Sequence, residues 1–216
     1  MINDKEKFEN ANVKLFERVA RWYDGKINRT LFFESAYRKI IQLLQDECGD
    51  VFRSDARVVD IACGTGEIIF RLANKYPQAK FIGIDFTDEM LKKTKDKTAG
   101  LNNVELQKAN VEKLPFADCS VDLIICSDAF HHFYNPEQAL AECHRVLKSN
   151  GFLLLVDIAL KNNLPMSLVA PIFKRIEHAK EYYSKKDLRQ MLGACNFNIK
   201  SEFTYHLNNY FITERG

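Results

Sequence analysis

Apolar residues recur at helical spacing in the first third of the chain and in short continuous runs thereafter, with the change near residue 56. Phe8, Leu15, Phe16, Val19, Trp22 and Tyr23 share one helical face. Phe32, Phe33, Ala36, Tyr37, Ile40, Leu43 and Leu44 share another, and Asp24-Gly25 separates the two. From Ala56 the pattern becomes strand-like. Arg57-Val58-Val59-Asp60-Ile61-Ala62 is a β-branched run that ends in Gly64-Thr65-Gly66, and a helix follows on Ile68, Ile69, Leu72, Ala73 and Tyr76, stopped by Pro77. Residues 80–85 predict a second strand, with Thr87 as the cap of a helix through Met90 and Leu91. Further strands are expected at 104–108, 121–126 and 152–158, with a helix over 137–148 that ends at Asn150-Gly151 in a left-handed cap.

Continuous apolar strands alternating with amphipathic helices require a parallel sheet covered on both faces. After Asn162-Asn163 comes an apolar segment, residues 164–176, broken by Pro165 and Pro171. A last helix over 184–192 carries a capping box at Ser184 and Asp187. Two closing strands, 197–203 and 210–213, have no helix between them and are expected to be antiparallel. The expected fold is therefore α/β and Rossmann-like: a doubly wound, mostly parallel seven-stranded sheet with an antiparallel C-terminal strand and an N-terminal helical extension. Without repeats or linkers, residues 1–216 read as a single domain. Residues 1–50 form the helical extension, 56–158 a ligand-binding core, and 159–216 the segment beside the second substrate and the closing strands.

Composition narrows the function classes. The chain has 31 Lys+Arg against 29 Asp+Glu, a formal charge of +2, which argues against a nucleic-acid partner held by bulk phosphate neutralisation. Sixteen Phe, eight Tyr and one Trp exclude a disordered chain. The N-terminus lacks the apolar run of a secretory signal. The densest apolar stretch, 151–160, is too short to span a bilayer and contains Asp157, so no integral membrane segment is expected. Six cysteines without a CxxC pair suit buried, reduced thiols in the cytoplasm. His131-His132 lacks neighbouring cysteines or carboxylates in the sequence, so no metal site is expected.

Glycine is scarce, nine residues in 216, which gives weight to Gly64 and Gly66. A strand that turns through Gly-x-Gly into a helix brings backbone close to a ligand at the carboxyl edge of the sheet. A dinucleotide fingerprint would need a third glycine where Ile69 stands, and no Gly-Lys-Ser/Thr follows to make a phosphate loop. Asp85, at the end of the second strand, can take both hydroxyls of a ribose. Ribose without pyrophosphate points to a nucleoside, and Asp60 adds a negative charge for a cationic amino-acid part.

At this point the chain resembles the class I S-adenosylmethionine-dependent methyltransferases. Four segments carry the likeness in order: VVDIACGTGE, FIGIDFTDEML, KANVEKLPFADCSVDLIICSDAFHHF and ALAECHRVLKSNGFLLLVD. Within that family it is most similar to the quinone-ring C-methyltransferases of the ubiquinone/menaquinone type, which also carry Ala at the position of Ala62 and an element matching Val19-Ala20-Arg21-Trp22-Tyr23-Asp24. The resemblance implies S-adenosyl-L-methionine as cofactor. Asp60, Ala62, Gly64, Thr65 and Gly66 would hold its methionine part and Asp85 its ribose. Phe86, Asn110 and Val111 would lie beside the adenine, and Ser127 would close the floor. Asn110 stands where many relatives carry Asp, and the segment after Asn163 shows no acceptor-site signature.

Methyl transfer from a sulfonium is a direct displacement, so the protein mainly aligns acceptor and methyl in a dry site. Asp128, His131 and His132 follow the fourth strand and are the candidates to meet the acceptor, with His132 taken as the catalytic residue and Tyr23 as a further candidate. Residues 8–33 and 164–176, both rich in apolar side chains, are expected to roof the acceptor pocket, the second as a lid. These features suit a methyltransferase acting on a small apolar or aromatic molecule. They equally suit a catalytically silent regulatory protein that only holds the cofactor. A nicotinamide oxidoreductase is disfavoured by Ile69.

Overall fold

The computed structural model describes residues 3–23, 33–160, 170–172 and 174–216, with residues 19–23 described through their backbone only. Elements follow the order β1 (Arg57–Ile61), β2 (Lys80–Asp85), β3 (Val104–Lys108), β4 (Val121–Ser127), β5 (Leu147–Ile158), β6 (Phe197–Tyr205) and β7 (Asn208–Arg215). Helices α1 (Asp4–Tyr23) and α2 (Glu34–Cys48) precede the sheet. α3 (Glu67–Lys75), α4 (Asp88–Lys97), α5 (Pro136–Val146) and α6 (Lys185–Ala194) connect its strands.

The seven strands lie in the order β3-β2-β1-β4-β5-β7-β6. The pairings β1–β2, β1–β4, β2–β3 and β4–β5 are parallel. β7 runs antiparallel to both of its neighbours. The strand order reverses between β1 and β4, and a crevice opens there at the carboxyl ends of the strands. Two apolar layers cover the sheet. Leu140 and Cys143 of α5 with Leu188 and Leu192 of α6 fill one face. Ile40 and Leu44 of α2 with Ile68, Ile69 and Leu72 of α3 fill the other.

Three local expectations change. The helix expected to reach residue 148 ends at Val146, and residues 147–150 already belong to β5. The carbonyls of Arg145 and Val146 are taken by the backbone N–H groups of Cys119 and Ser120, so no glycine cap is needed. Gly151 instead serves close approach: a Cβ there would lie 3.2 Å from the Asp122 carbonyl. Thr87 sits at the N-cap of α4, but its hydroxyl donates to Asp85 and does not cap. Of the six free cysteines, Cys119 is exposed. Ser184 and Asp187 do form the expected capping box.

One buried charge ties the amino ends of the central strands together. The Asp122 carboxylate accepts from Arg53 at 2.5 Å, from the Arg57 backbone N–H at 3.0 Å and from Lys148 at 2.9 Å. Burial pushes its pKa up, but these donors outweigh burial and hold it below the ordinary value. The stabilisation is therefore present above the usual carboxylate range and lost as pH falls through the depressed pKa. Asp122→Ala should cost about 2 kcal/mol, because two cations and an N–H lose their acceptor. The check is the denaturant midpoint, which should fall at unchanged slope; an unchanged midpoint contradicts the assignment.

Candidate active site

Immediately after β1 the chain makes a left-handed path: φ is +54° at Ala62, +54° at Gly64 and +72° at Gly66. The two glycines serve different ends. A Cβ on Gly64 would meet nothing within 4 Å, so this backbone stands open to the crevice. A Cβ on Gly66 would lie 2.3 Å from Thr94 Cγ2, so Gly66 lets α3 pack against α4. Thr94 completes that contact by donating to the Gly64 carbonyl at 2.7 Å. Ala62 holds a conformation that disfavours a Cβ by about 1–2 kcal/mol.

A cavity of about 180 Å³ fills the crevice. It is lined by Asp60, Ala62, Gly64 and Thr65 from the first loop, Asp85 and Phe86 from the second, Asn110 and Val111 after β3, and Ser127, Asp128 and His132 after β4. Of the site residues expected from sequence, the cavity brings together all but three: Gly66 lies behind the loop, His131 is not among the lining residues, and the side chain of Tyr23 lies outside the described residues.

Asp60 is 3% exposed, and among the described residues no donor reaches its carboxylate. Burial and the nearby Asp85 push its pKa well above the ordinary value. Asp85 is held firmly. One carboxylate oxygen accepts from the Gly64 N–H at 2.9 Å; the other accepts from the N–H and hydroxyl of Thr87, each at 2.9 Å. Burial still raises its pKa above the ordinary value. Phe86 is 39% exposed, a large ring left open at the cavity edge. Asn110 explains its own departure from Asp: its amide donates to Glu9 at 3.0 Å, which a carboxylate could not do, while its oxygen accepts from the Glu112 N–H.

α1 roofs the cavity through Phe8, Glu9, Asn12, Val13 and Phe16. It is fastened by Lys5–Glu112 at 2.5 Å, by Glu9 on Asn110, and by Phe16 edge-on to the His132 ring at 4.9 Å. Of the roof expected from residues 8–33, positions 8–16 and Phe33 line the cavity, while residues 24–32 and the side chains of 19–23 lie outside the described residues. Of the other part, residues 161–169 and Phe173 lie outside the described residues, as do Asp24 and the side chain of Tyr23. Ile172 and Ile176 are exposed.

Past β4, Asp128 takes a φ of +50°, and a turn of 3₁₀ helix spans Phe130–His132. The two histidines diverge. His132 faces the cavity; burial and the neighbouring His131 lower its pKa well below the ordinary value, so its ring is neutral. His131 turns away, and its Nδ1 lies 2.7 Å from Asp157 Oδ1 of β5. Burial opposes protonation of His131, but the Asp157 charge and hydrogen bond outweigh it and raise its pKa. Burial and Asp157 push the Asp128 carboxyl up to about 7. Asp157, Glu9 and Glu177 had not been singled out from sequence as site residues. Only Asp157 leaves a signal there, as the single charge in the apolar run 151–160.

This geometry, a left-handed glycine turn facing an acidic strand end at the switch point, invites comparison with known proteins. The model of the methyltransferase domain family matches residues 52–209. The chain belongs to that family. It is an S-adenosyl-L-methionine-dependent methyltransferase with the class I fold. A demethylmenaquinone methyltransferase of Staphylococcus aureus is 28% identical over 228 residues, covering 93% of this chain and 91% of that one. Among solved structures, the magnesium protoporphyrin IX methyltransferase of Synechocystis PCC 6803 with bound SAH superposes with a TM-score of 0.75. It is 19% identical and covers 99% of this chain and 100% of its own. An Aquifex aeolicus SAM-dependent methyltransferase gives 0.70 at 20% identity, over 93% and 98%. At these identities the structural matches speak for the fold.

The cavity fits the cofactor on its own evidence. A buried, unpartnered carboxylate at Asp60 suits a cation. The open Gly64 face suits close approach of a ligand, and the Phe86 ring suits a flat base.

Proposed function

We propose that this methyltransferase acts on a small, largely apolar or aromatic acceptor, which it receives at the His132 end of the cavity. One observation carries this reading: Phe8, Val13 and Phe16 of α1 line the same cavity as Phe133 and Tyr134, an apolar lining beside His132 suited to a small flat molecule. The near-balanced charge gives no basic stripe for nucleic acid. We place the protein in the cytoplasm, where its six unpaired cysteines stay reduced. Among the described residues no helix is long and apolar enough to cross a membrane.

When bound, S-adenosyl-L-methionine supplies an electrophilic methyl on a cationic sulfur that departs as a neutral thioether. Asp60 would hold the cationic amino-acid part, the Ala62, Gly64 and Thr65 backbone would line it, and Asp85 would take the ribose. Phe86, Asn110 and Val111 would flank the adenine, and Ser127 would form the floor. Asp128 and His132 are left facing the acceptor, and the neutral His132 ring can accept a hydrogen bond from an acceptor hydroxyl. The remaining work of the chain is alignment and exclusion of water, which Phe16 and the α1 roof perform.

Because the Staphylococcus relative is named for demethylmenaquinone, a reduced naphthoquinone is the first acceptor to offer. Release of the demethylated cofactor should rise with such a compound and not with tRNA or DNA. His132→Ala should lower kcat/KM by about 10-fold, close to 1.4 kcal/mol, while affinity for the demethylated cofactor stays within twofold. Activity on nucleic acid alone would overturn the acceptor class, and no turnover with any small acceptor would favour the silent cofactor-binding reading.

A further inference from the structure

Behind the wall of the cavity lies a group of side chains that cofactor binding does not use. His131, His132 and Glu177 each offer a ligand atom, and these atoms lie within 4.8 Å of one another. They come from distant parts of the chain. The two histidines sit on the turn after β4, while Glu177 arrives from the segment before α6. That segment is pinned to the turn because the Lys180 and Glu181 N–H groups both donate to the His131 carbonyl, at 2.7 and 3.2 Å. The carboxylate missing beside His131-His132 in the sequence is thus supplied by the fold.

Three features set this group apart from an ordinary buried ion pair. His131 Nδ1 is held at 2.7 Å by Asp157 Oδ1, which fixes the ring and leaves Nε2 pointing toward Glu177 Oε2, 3.9 Å away. A carboxylate on the far nitrogen of a histidine is the usual outer support of a metal-bound imidazole. Glu177 Oε2 is steadied in turn by the Tyr182 hydroxyl, which donates to it at 2.5 Å. Finally, His132 Nδ1 and Asp157 Oδ2 are buried with no hydrogen-bond partner. An uncompensated buried polar atom costs about 1–3 kcal/mol, and two on residues flanking one histidine call for a function.

We propose that His131, His132 and Glu177 form a binding site for a divalent cation of the zinc class, with Asp157 and Tyr182 as its outer support. Two imidazoles and one carboxylate are the ligand set of zinc sites that keep a coordination position open. Two ligands about 2.1 Å from a tetrahedral ion stand roughly 3.4 Å apart, so the 3.9 Å pair needs to close by about half an ångström and a pair at the 4.8 Å limit by about 1.4 Å. Glu177 is partly exposed and can make that movement. Since His132 also lines the cavity, the site borders the acceptor end. With the cation bound, the one lone pair of His132 goes to the ion, and an oxygen of the acceptor or a water would take the open position in place of a direct hydrogen bond to the ring. The location of the acceptor rests on the function proposed above; the cation site does not.

The test uses the purified full chain, stripped with a chelator and titrated with Co²⁺ alone. We expect one equivalent to bind with the visible absorption of a four- or five-coordinate ion. Glu177→Gln and His131→Gln should each weaken binding at least 10-fold, and Asp157→Asn should weaken it by about 10- to 100-fold as an outer support. Binding of the demethylated cofactor by calorimetry should stay within twofold in Glu177→Gln, which shows that this variant is folded and separates the cation site from the methyltransferase reading. Lack of stoichiometric Co²⁺ uptake by the wild-type chain, or equal uptake by Glu177→Gln, overturns the proposal.

Discussion

Asp60→Asn is expected to weaken binding of S-adenosyl-L-methionine by at least 30-fold. The carboxylate lies buried at the end of β1 with no donor on it among the described residues. A cation placed there would have little water to screen it. Removing one partner of such a buried charged contact costs about 2–5 kcal/mol, and the lower bound is already roughly 30-fold in Kd. The variant exchanges one carboxylate oxygen for an NH2 group of nearly the same size, so loss of affinity reports charge rather than packing. The pH dependence sharpens the claim. Burial and Asp85 raise the Asp60 pKa in the unliganded protein. A carboxyl whose folded pKa is raised contributes stability that is full below its unfolded pKa and lost as pH rises through the folded pKa. Bound cation reverses that cost by favouring the ionised form. Affinity should therefore climb with pH from the ordinary carboxylate range up to the raised pKa and then level. Asp85, also raised, adds a smaller slope of the same sign, so Asp60→Asn should flatten the profile without removing it. Calorimetry across pH reads both; a wild-type profile as flat as that of the variant contradicts the assignment.

Asp85→Ala should weaken cofactor binding by on the order of 1–3 kcal/mol through the lost hydroxyl acceptor. Its effect should exceed that of an ordinary surface contact, because Asp85 also gathers the Gly64 N–H and both donors of Thr87. Without it the first and second loops lose their common anchor, and the left-handed turn at Gly64 loses its fixed position. Asp85→Asn keeps the volume and one acceptor and should fall between wild type and Ala. Equal affinity in all three proteins would refute the ribose role.

How far the sequence alone reaches depends on the range of the interactions. β1, β2 and β4 were legible because each is a continuous apolar run, and a sheet buried on both faces permits little else. The Gly64-Thr65-Gly66 turn was legible because a strand, a glycine pair and a helix follow one another within a few residues. Yet sequence could not separate the two glycines, since Gly66 answers to Thr94, 28 positions later. The end of α5 was misplaced for a similar reason: Cys119 and Ser120, in the turn before β4, take its last carbonyls. That Asn110 stands where many relatives carry Asp has its reason in Glu9 of α1, which accepts from its amide and is 101 positions away. Glu177 left no trace, because its meeting with His131 depends on the chain folding back before α6. Side chains that act beside a local backbone motif could be read; those assembled from distant segments could not.

The most direct test of the account is calorimetric titration of the demethylated cofactor, S-adenosylhomocysteine, into the wild-type chain, Asp60→Asn and Asp85→Ala, with NAD as the control ligand. The account predicts one site on the wild type, markedly weakened in both variants, and no binding of NAD. NAD binding without S-adenosylhomocysteine binding, or equal affinity in all three proteins, would contradict it.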